Sequence, residues 1–392
     1  MATQMKSGSG APMSSDGINH LCRMDLGGAG QITIEGNYAY LGYMYGPEGT
    51  SILDISDPRN PKLLSTLMHD NSQTHSHKVR VNGDIMVVNS EQRPNIGVRK
   101  EPNFDEGGFK IYDISDRTNP KLITFQKTWG KGVHRFDMDE KYAYITTEKE
   151  GFLGSILVIY DISNPSKVEE VSHWWMPGQN IAAGEEPSPI GAEHRLHHGL
   201  RHENQIYAGL WGSGFAIIDV NDIKNPKTLS TYDPHPEAAE PSHTLMRVPF
   251  QIGGRNIAIG TDEERAHRGP DEGKPHAPFY VFDVGDLSEM KLLSTFHVPE
   301  EASPYNEPHM RFGAHQFREQ LDDTRVFVTW FAAGLRIIDI ANPEQPEEVG
   351  FFIPEPGRGT DAPQTNDVEF DHRGLVYITD KARGFDVIEL PD

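Results

Sequence analysis

The strongest constraint on the fold is a motif that returns along the whole chain. It reads SILDISDPRNPKLLSTL from Ser51, FKIYDISDRTNPKLITF from Phe109 and LVIYDISNPSKVEEVS from Leu157. It returns as FAIIDVNDIKNPKTLSTY from Phe215, FYVFDVGDLSEMKLLSTF from Phe279 and LRIIDIANPEQPEEVGFF from Leu335, and FDVIEL from Phe385 is a truncated seventh copy. The acidic markers are Asp54, Asp113, Asp161, Asp219, Asp283, Asp339 and Glu389. A spacing of roughly 50–60 residues is that of propeller blades, small sheets that need neighbours to bury their faces.

Each copy reads as four short strands. Runs such as YAYLGY, IMVVNS, YAYITT, IYAGLW, IAIGTD, VFVTWF and VYITDK precede the marker strand. They are rich in β-branched and aromatic residues and bounded by turn formers. The Asn-Pro turn ends the marker strand, because proline fixes φ and removes a donor. An outer strand such as KLLSTL follows. The expected fold is all-β, a seven-bladed β-propeller. The last copy lacks its outer strand, and NHLCRMDL (Asn19–Leu26) is the spare segment that would close the ring and hide a sheet edge. Residues 1–16 read as a disordered Gly/Ser/Met-rich tail, and 17–392 as one propeller domain.

Composition narrows the partners. No apolar run approaches membrane-spanning length and no signal-peptide core opens the chain. Cys22 is the only cysteine, which excludes an internal disulfide and suits a reducing cytoplasm. A formal net charge of −22 argues against nucleic acid or an anionic membrane as partner. A small-molecule substrate or a metal cation fits better.

Counting eight residues back from Tyr142, Ile206, Ile85 and Leu375 lands on His134, His198, His77 and Asp367. The longer first hairpins of the fifth and sixth copies begin at His243 and His315, and the first copy has Gly30 there. First strands line a propeller's channel, so these side chains should converge on the axis. Singly, each histidine would more often cap a strand. Together, five neutral rings would leave lone pairs unmatched and five charged rings would repel, and a transition metal relieves both. The expected ligands are His77, His134, His198, His243 and His315, with Asp367.

Six residues after the same reference points lie Glu91, Glu148 and Glu263, with Lys381, Met44, Gly212 and Ala332 in the remaining copies. Carboxylates beside imidazoles accept the distal ring proton and orient the ligand. The same residue types can move protons, and His75 and Tyr43 join the three glutamates as catalytic candidates. Long connections at Trp174–His197, Val298–Ala314, Asn89–Gly107 and Thr261–Pro278 reach this face. They and the strand ends carry Trp174, Met176, Tyr305, Met310, Tyr45, Trp211, Trp330 and Phe331, a lining suited to an apolar or aromatic substrate.

The repeated (I/V)(I/Y)D(I/V)S…NPK pattern resembles the LVIVD-repeat propellers over nearly the whole chain, a resemblance that implies fold rather than activity. The axial histidines are architecturally similar to those of carotenoid-cleavage-type dioxygenases, in which four histidines hold iron with outer glutamates, and to selenium-binding/methanethiol-oxidase-type metal propellers. This chain departs from the first pattern by offering five histidines and Asp367. The expected activity is a metal-dependent oxidoreductase or dioxygenase acting on a small aromatic or apolar substrate. Iron is the first metal, with zinc, manganese or copper as alternatives. A lyase or hydrolase using the metal as Lewis acid is the second reading, and a non-catalytic scaffold, which leaves the histidines unexplained, the third. No P-loop, dinucleotide glycine fingerprint or nucleophile elbow is present.

Overall fold

A computed structural model of the chain describes residues 11–93, 103–187, 194–265, 273–306, 310–357 and 359–391. Its strands pair antiparallel in successive units, as the apolar runs predict. The first unit comprises Ala29–Glu35, Tyr38–Tyr43, Glu48–Asp54 and Lys62–Met68. The third comprises Trp129–Met138, Tyr142–Glu148, Ser155–Asp161 and Glu169–Trp174. In the last, Thr365–Phe370, Val376–Asp380 and Arg383–Glu389 take Asn19–Met24 as the outer strand, paired to Arg383–Glu389. The N-terminal segment thus closes the ring, and the fold is a β-propeller.

Hydrogen bonds link each unit to the next around the axis. Gln31 N donates to His77 O at 2.7 Å, Asn89 Nδ2 to Val133 O at 2.9 Å, and Arg201 N to an Asp137 carboxylate oxygen at 3.0 Å. His197 Nδ1 meets His243 O at 3.3 Å, Thr261 Oγ1 donates to His315 O at 2.8 Å and Thr329 Oγ1 to Asn366 O at 3.1 Å. Asn366 Nδ2 returns to Gly30 O at 2.7 Å. The apolar core is divided the same way. Tyr40, Ile52, Val79 and Met86 pack between the first and second units, and Phe327, Leu335, Val376 and Ile388 between the sixth and seventh.

The marker aspartates build the turns. Asp54, Asp113, Asp161, Asp219, Asp283 and Asp339 each accept the backbone N–H two residues on, at 2.8–2.9 Å, the local bond that makes Asx turns. Their repetition is therefore structural.

One detail differs from the sequence reading. Met13–Ser14, assigned to the tail, pair with Phe352 and Ile353 and extend the sixth unit, because Glu347–Ile353 leaves backbone groups free at an edge. Residues 1–10 and 94–102 lie outside the described residues. No helix among the described residues is long and apolar enough to cross a membrane.

Candidate metal centre

The marker pairing sets the register of the axial residues. Asp54, Asp113, Asp161, Asp219, Asp283 and Asp339 lie opposite Tyr38, Ile85, Tyr142, Gln205, Ile257 and Arg325. The reference residue in the fourth unit is therefore Gln205, not Ile206, and eight residues back lies His197. In the seventh unit the turn through Asp371–Leu375 is one residue longer, so the strand pairings place Asn366, not Asp367, opposite the same site. One ring around the axis is Gly30, His77, His134, His197, His243, His315 and Asn366. The next residue of each strand forms a second ring of Gln31, Lys78, Arg135, His198, Thr244, Gln316 and Asp367. Gly30 carries no side chain because a Cβ there would lie 2.6 Å from the His77 carbonyl oxygen.

The first ring is an arc of closely packed imidazoles tilted against one another. Successive centroids are 4.8 Å apart from His77 to His134, then 4.7 Å to His197, 4.5 Å to His243 and 4.4 Å to His315. His75 stacks on the other side of His77 at 4.6 Å. The glutamate register is corrected by the same one-residue shift. Trp211 and Phe331 replace Gly212 and Ala332, and pack at a tilt against His197 at 4.7 Å and His315 at 4.8 Å.

Hydrogen-bond partners assign the tautomers. His315 Nδ1 meets Asn366 O at 2.6 Å and His197 Nδ1 meets His243 O; carbonyls only accept, so both Nδ1 atoms carry the proton. His134 Nδ1 donates to Glu91 Oε2 at 2.7 Å. Gln316 Nε2 donates to Glu319 at 3.0 Å, which leaves its Oε1 to accept the Thr244 hydroxyl at 3.2 Å. Thr244 Oγ1 then accepts His243 Nδ1 at 2.6 Å. Four imidazoles therefore present bare Nε2 atoms. Those of His134 and His197 face each other at 2.9 Å. Those of His243, His197 and His315 lie 3.7, 4.0 and 4.0 Å from Glu263 Oε2. The Arg135 guanidinium, 3.4 Å from His315 Nε2, is the donor that approaches them.

Electrostatics keep these groups in ligand form. Burial pulls His197, His243 and His315 well below the ordinary histidine value, with Arg135 adding to it, and takes His134 down to about 4 against the opposing pull of Glu91. Burial alone would raise Glu263, but His315, Arg311 and Lys381 outweigh it and hold the carboxylate well below its usual range. Arg311 Nη1 donates to Glu263 Oε1 at 2.6 Å.

His197, His243 and Glu263 form a buried group whose ligand atoms could hold a metal ion, and His75, His77 and Glu91 form a second. In the second, Glu91 already accepts His75 Nε2 at 2.8 Å, His134 Nδ1 at 2.7 Å and Lys131 Nζ at 2.6 Å. Asn89 Nδ2 approaches His77 Nδ1 at 3.2 Å, so His77 carries its proton on Nε2.

The remaining candidates sit elsewhere. His198, in the second ring, directs Nδ1 to Thr244 Oγ1 at 3.1 Å and places Nε2 3.6 Å from Glu319 Oε1. Asp367 Oδ2 accepts Ile32 N at 3.0 Å, and burial pushes its carboxyl up to about 6 against the opposing pull of Lys78. Glu148 accepts Lys131 N at 3.0 Å. Tyr43 shares its hydroxyl with Ser51 at 2.9 Å. Trp174 and Met176 pack in the core between the third and fourth units, and Trp330 packs in the core beside Phe296.

The sequence profile of the LVIVD repeat matches residues 26–68, 104–128, 136–174 and 326–352. No curated protein matches the chain. Among solved structures, the computationally designed Ika8 protein superposes with a TM-score of 0.53 at 10% identity, over 94% of this chain and 98% of that one. At that identity the likeness concerns fold alone. This chain is a β-propeller that carries LVIVD repeats over those residues.

Proposed function

We propose that the protein is a metal-dependent enzyme whose ion is held by His134, His197, His243 and His315, with Glu263 beside it. The observation that carries this reading is the convergence of the Nε2 atoms of His197, His243 and His315 on Glu263, with His134 Nε2 2.9 Å from His197 Nε2. His243 Nε2 is buried with no hydrogen-bond partner among the described residues; an unsatisfied buried polar atom costs roughly 1–3 kcal/mol, and a cation would relieve it. The spacing also suits an ion. Atoms bound at about 2.1 Å to one metal lie at most about 4.2 Å apart, and the contacts run from 2.9 to 4.0 Å.

The surrounding groups do what a ligand set requires. Glu91 orients His134, Thr244 orients His243, and the carbonyls of His243 and Asn366 fix His197 and His315. Trp211 and Phe331 brace two of the rings. A neutral imidazole set suits iron first, with copper, zinc or manganese as alternatives, and a redox-active ion there would supply oxygen activation. The favoured activity is thus an oxidoreductase acting on a small aromatic or apolar substrate. A lyase or hydrolase is the second reading, favoured by Glu263, an ionised carboxylate placed to take a proton from a metal-activated water. The single half-buried thiol of Cys22 suits the cytoplasm.

Elemental analysis and the visible spectrum of protein purified without an affinity metal test the proposal. Near-stoichiometric iron or copper supports the oxidoreductase, and colourless zinc or manganese supports the lyase or hydrolase. No metal bound, and none taken up, sinks both.

A further inference from the structure

The chain is strongly acidic, yet the wall beside Glu263 is cationic. A basin of about 580 Å³ opens there, lined among others by Tyr45, Arg93, Met310, Arg311, Asp361 and Lys381. It shares its wall with the imidazole centre. Arg311 reaches Glu263, and the Arg311 guanidinium and the Lys381 ammonium lie 5.1 and 5.4 Å from the centroid of Phe331, the ring that packs against His315.

The cations are not equally engaged. Arg311 is matched by Glu263. Arg93 lies over the Tyr45 ring at 4.2 Å and gives Nη1 to the Met44 carbonyl at 3.2 Å. Neither Arg93 nor Lys381 meets a carboxylate among the described residues, and Asp361 is the one acidic residue of the lining. Half-buried cations resting on aromatic faces retain donors that an anion would satisfy by charge-assisted hydrogen bonds. The net charge of −22 does not oppose this at contact range, because exposed charges are screened beyond about 8–10 Å at physiological salt.

We propose that this basin binds the carboxylate of a small ligand through Arg93 and Lys381, and so presents the rest of the molecule to the His134–His197–His243–His315 centre. The proposal rests on the metal reading and names its substrate class as carboxylates with an apolar body. Tyr45 and Met310 supply the apolar contacts, so the aromatic or apolar substrate expected from sequence acquires an acid group.

The test is calorimetric titration of the full-length protein with benzoate and with benzamide, its neutral counterpart, before and after loading with Co2+. Benzoate should bind at least about tenfold more tightly than benzamide. Arg93→Gln and Lys381→Gln should each remove most of that preference, and Arg93→Gln should leave Co2+ uptake unchanged. Equal binding of the two ligands, or a preference that survives both substitutions, overturns the basin. The two readings fail separately. Co2+ uptake without a benzoate preference removes the basin and leaves the metal centre. A preference that depends on Arg93 and Lys381 in a protein that takes up no Co2+ removes the metal centre and leaves a carboxylate-binding site.

Discussion

Glu91 and Glu263 occupy the same place in different repeats, at the end of a second strand beside an axial histidine, yet their surroundings differ. Glu91 is saturated by two imidazole N–H groups and Lys131 within 2.6–2.8 Å. Glu263 is held at one oxygen by Arg311 and turns the other to three bare nitrogens at 3.7–4.0 Å, too far to hydrogen bond. The first carboxylate is a finished polar network and the second faces a gap with metal dimensions. The difference lies in proton placement: His75 and His134 carry their protons toward Glu91, whereas His197, His243 and His315 carry theirs away from Glu263.

The largest effect expected from this asymmetry is on metal content. His197→Ala or His243→Ala should reduce bound metal to near zero, read by elemental analysis, with the strand content of the circular dichroism spectrum retained. Retained stoichiometry in both variants would break the distinction. Glu263→Gln should weaken metal binding about 10–100-fold at little cost in stability, measured by competition with a chelator. Glu91→Gln should act mainly on stability, because it leaves Lys131 and two imidazole donors facing a neutral amide. A loss of about 3 kcal/mol in denaturant unfolding is expected, with metal binding weakened less than in Glu263→Gln because Glu91 reaches the centre only through His134. Similar phenotypes for the two glutamines would mean that both groups serve one role.

Acid sharpens the same comparison. His134 falls from 6.5 to about 4 in the folded protein, and its buried neighbours fall in the same direction. Above the ordinary histidine value both folded and unfolded chains hold these rings neutral, so stability is level. As pH drops from about 6.5 toward 4 the unfolded chain takes up protons first, and the folded state loses stability. Glu91 and Glu263, held low, add to the loss on the same side. A thermal midpoint that rose between pH 6.5 and 5 would contradict the assignment of neutral imidazoles. The smallest effect belongs to His198→Ala, which removes one bond to Thr244 and should cost about 1 kcal/mol while leaving metal content unchanged.

That last variant shows how far the sequence could be read. The strands, their order, the turns after each marker aspartate and the closing strand at Asn19–Met24 follow from local pattern, because alternation and turn chemistry act over a few residues. Four of the arc's histidines, His77, His134, His243 and His315, follow from counting along those strands. The same count selects His198 rather than His197, and Asp367 rather than Asn366, because a one-residue shift transfers a side chain to a different layer. A signal was available: Tyr40, Tyr144, Tyr207 and Tyr377 are all buried two residues after the position facing the marker, and aligning on them selects Gln205.

By itself, then, the sequence determined a ring of repeated sheets with imidazoles and carboxylates around its axis, since those properties depend on period and strand pattern. Only the tertiary structure decided which consecutive histidine faces the centre, which carboxylate is already satisfied, and that Arg93, Arg311 and Lys381 gather on one wall of an acidic protein. Those outcomes depend on hairpin length, on which ring nitrogen finds a carbonyl, and on loops from distant repeats meeting in space, none of which is encoded within a single repeat.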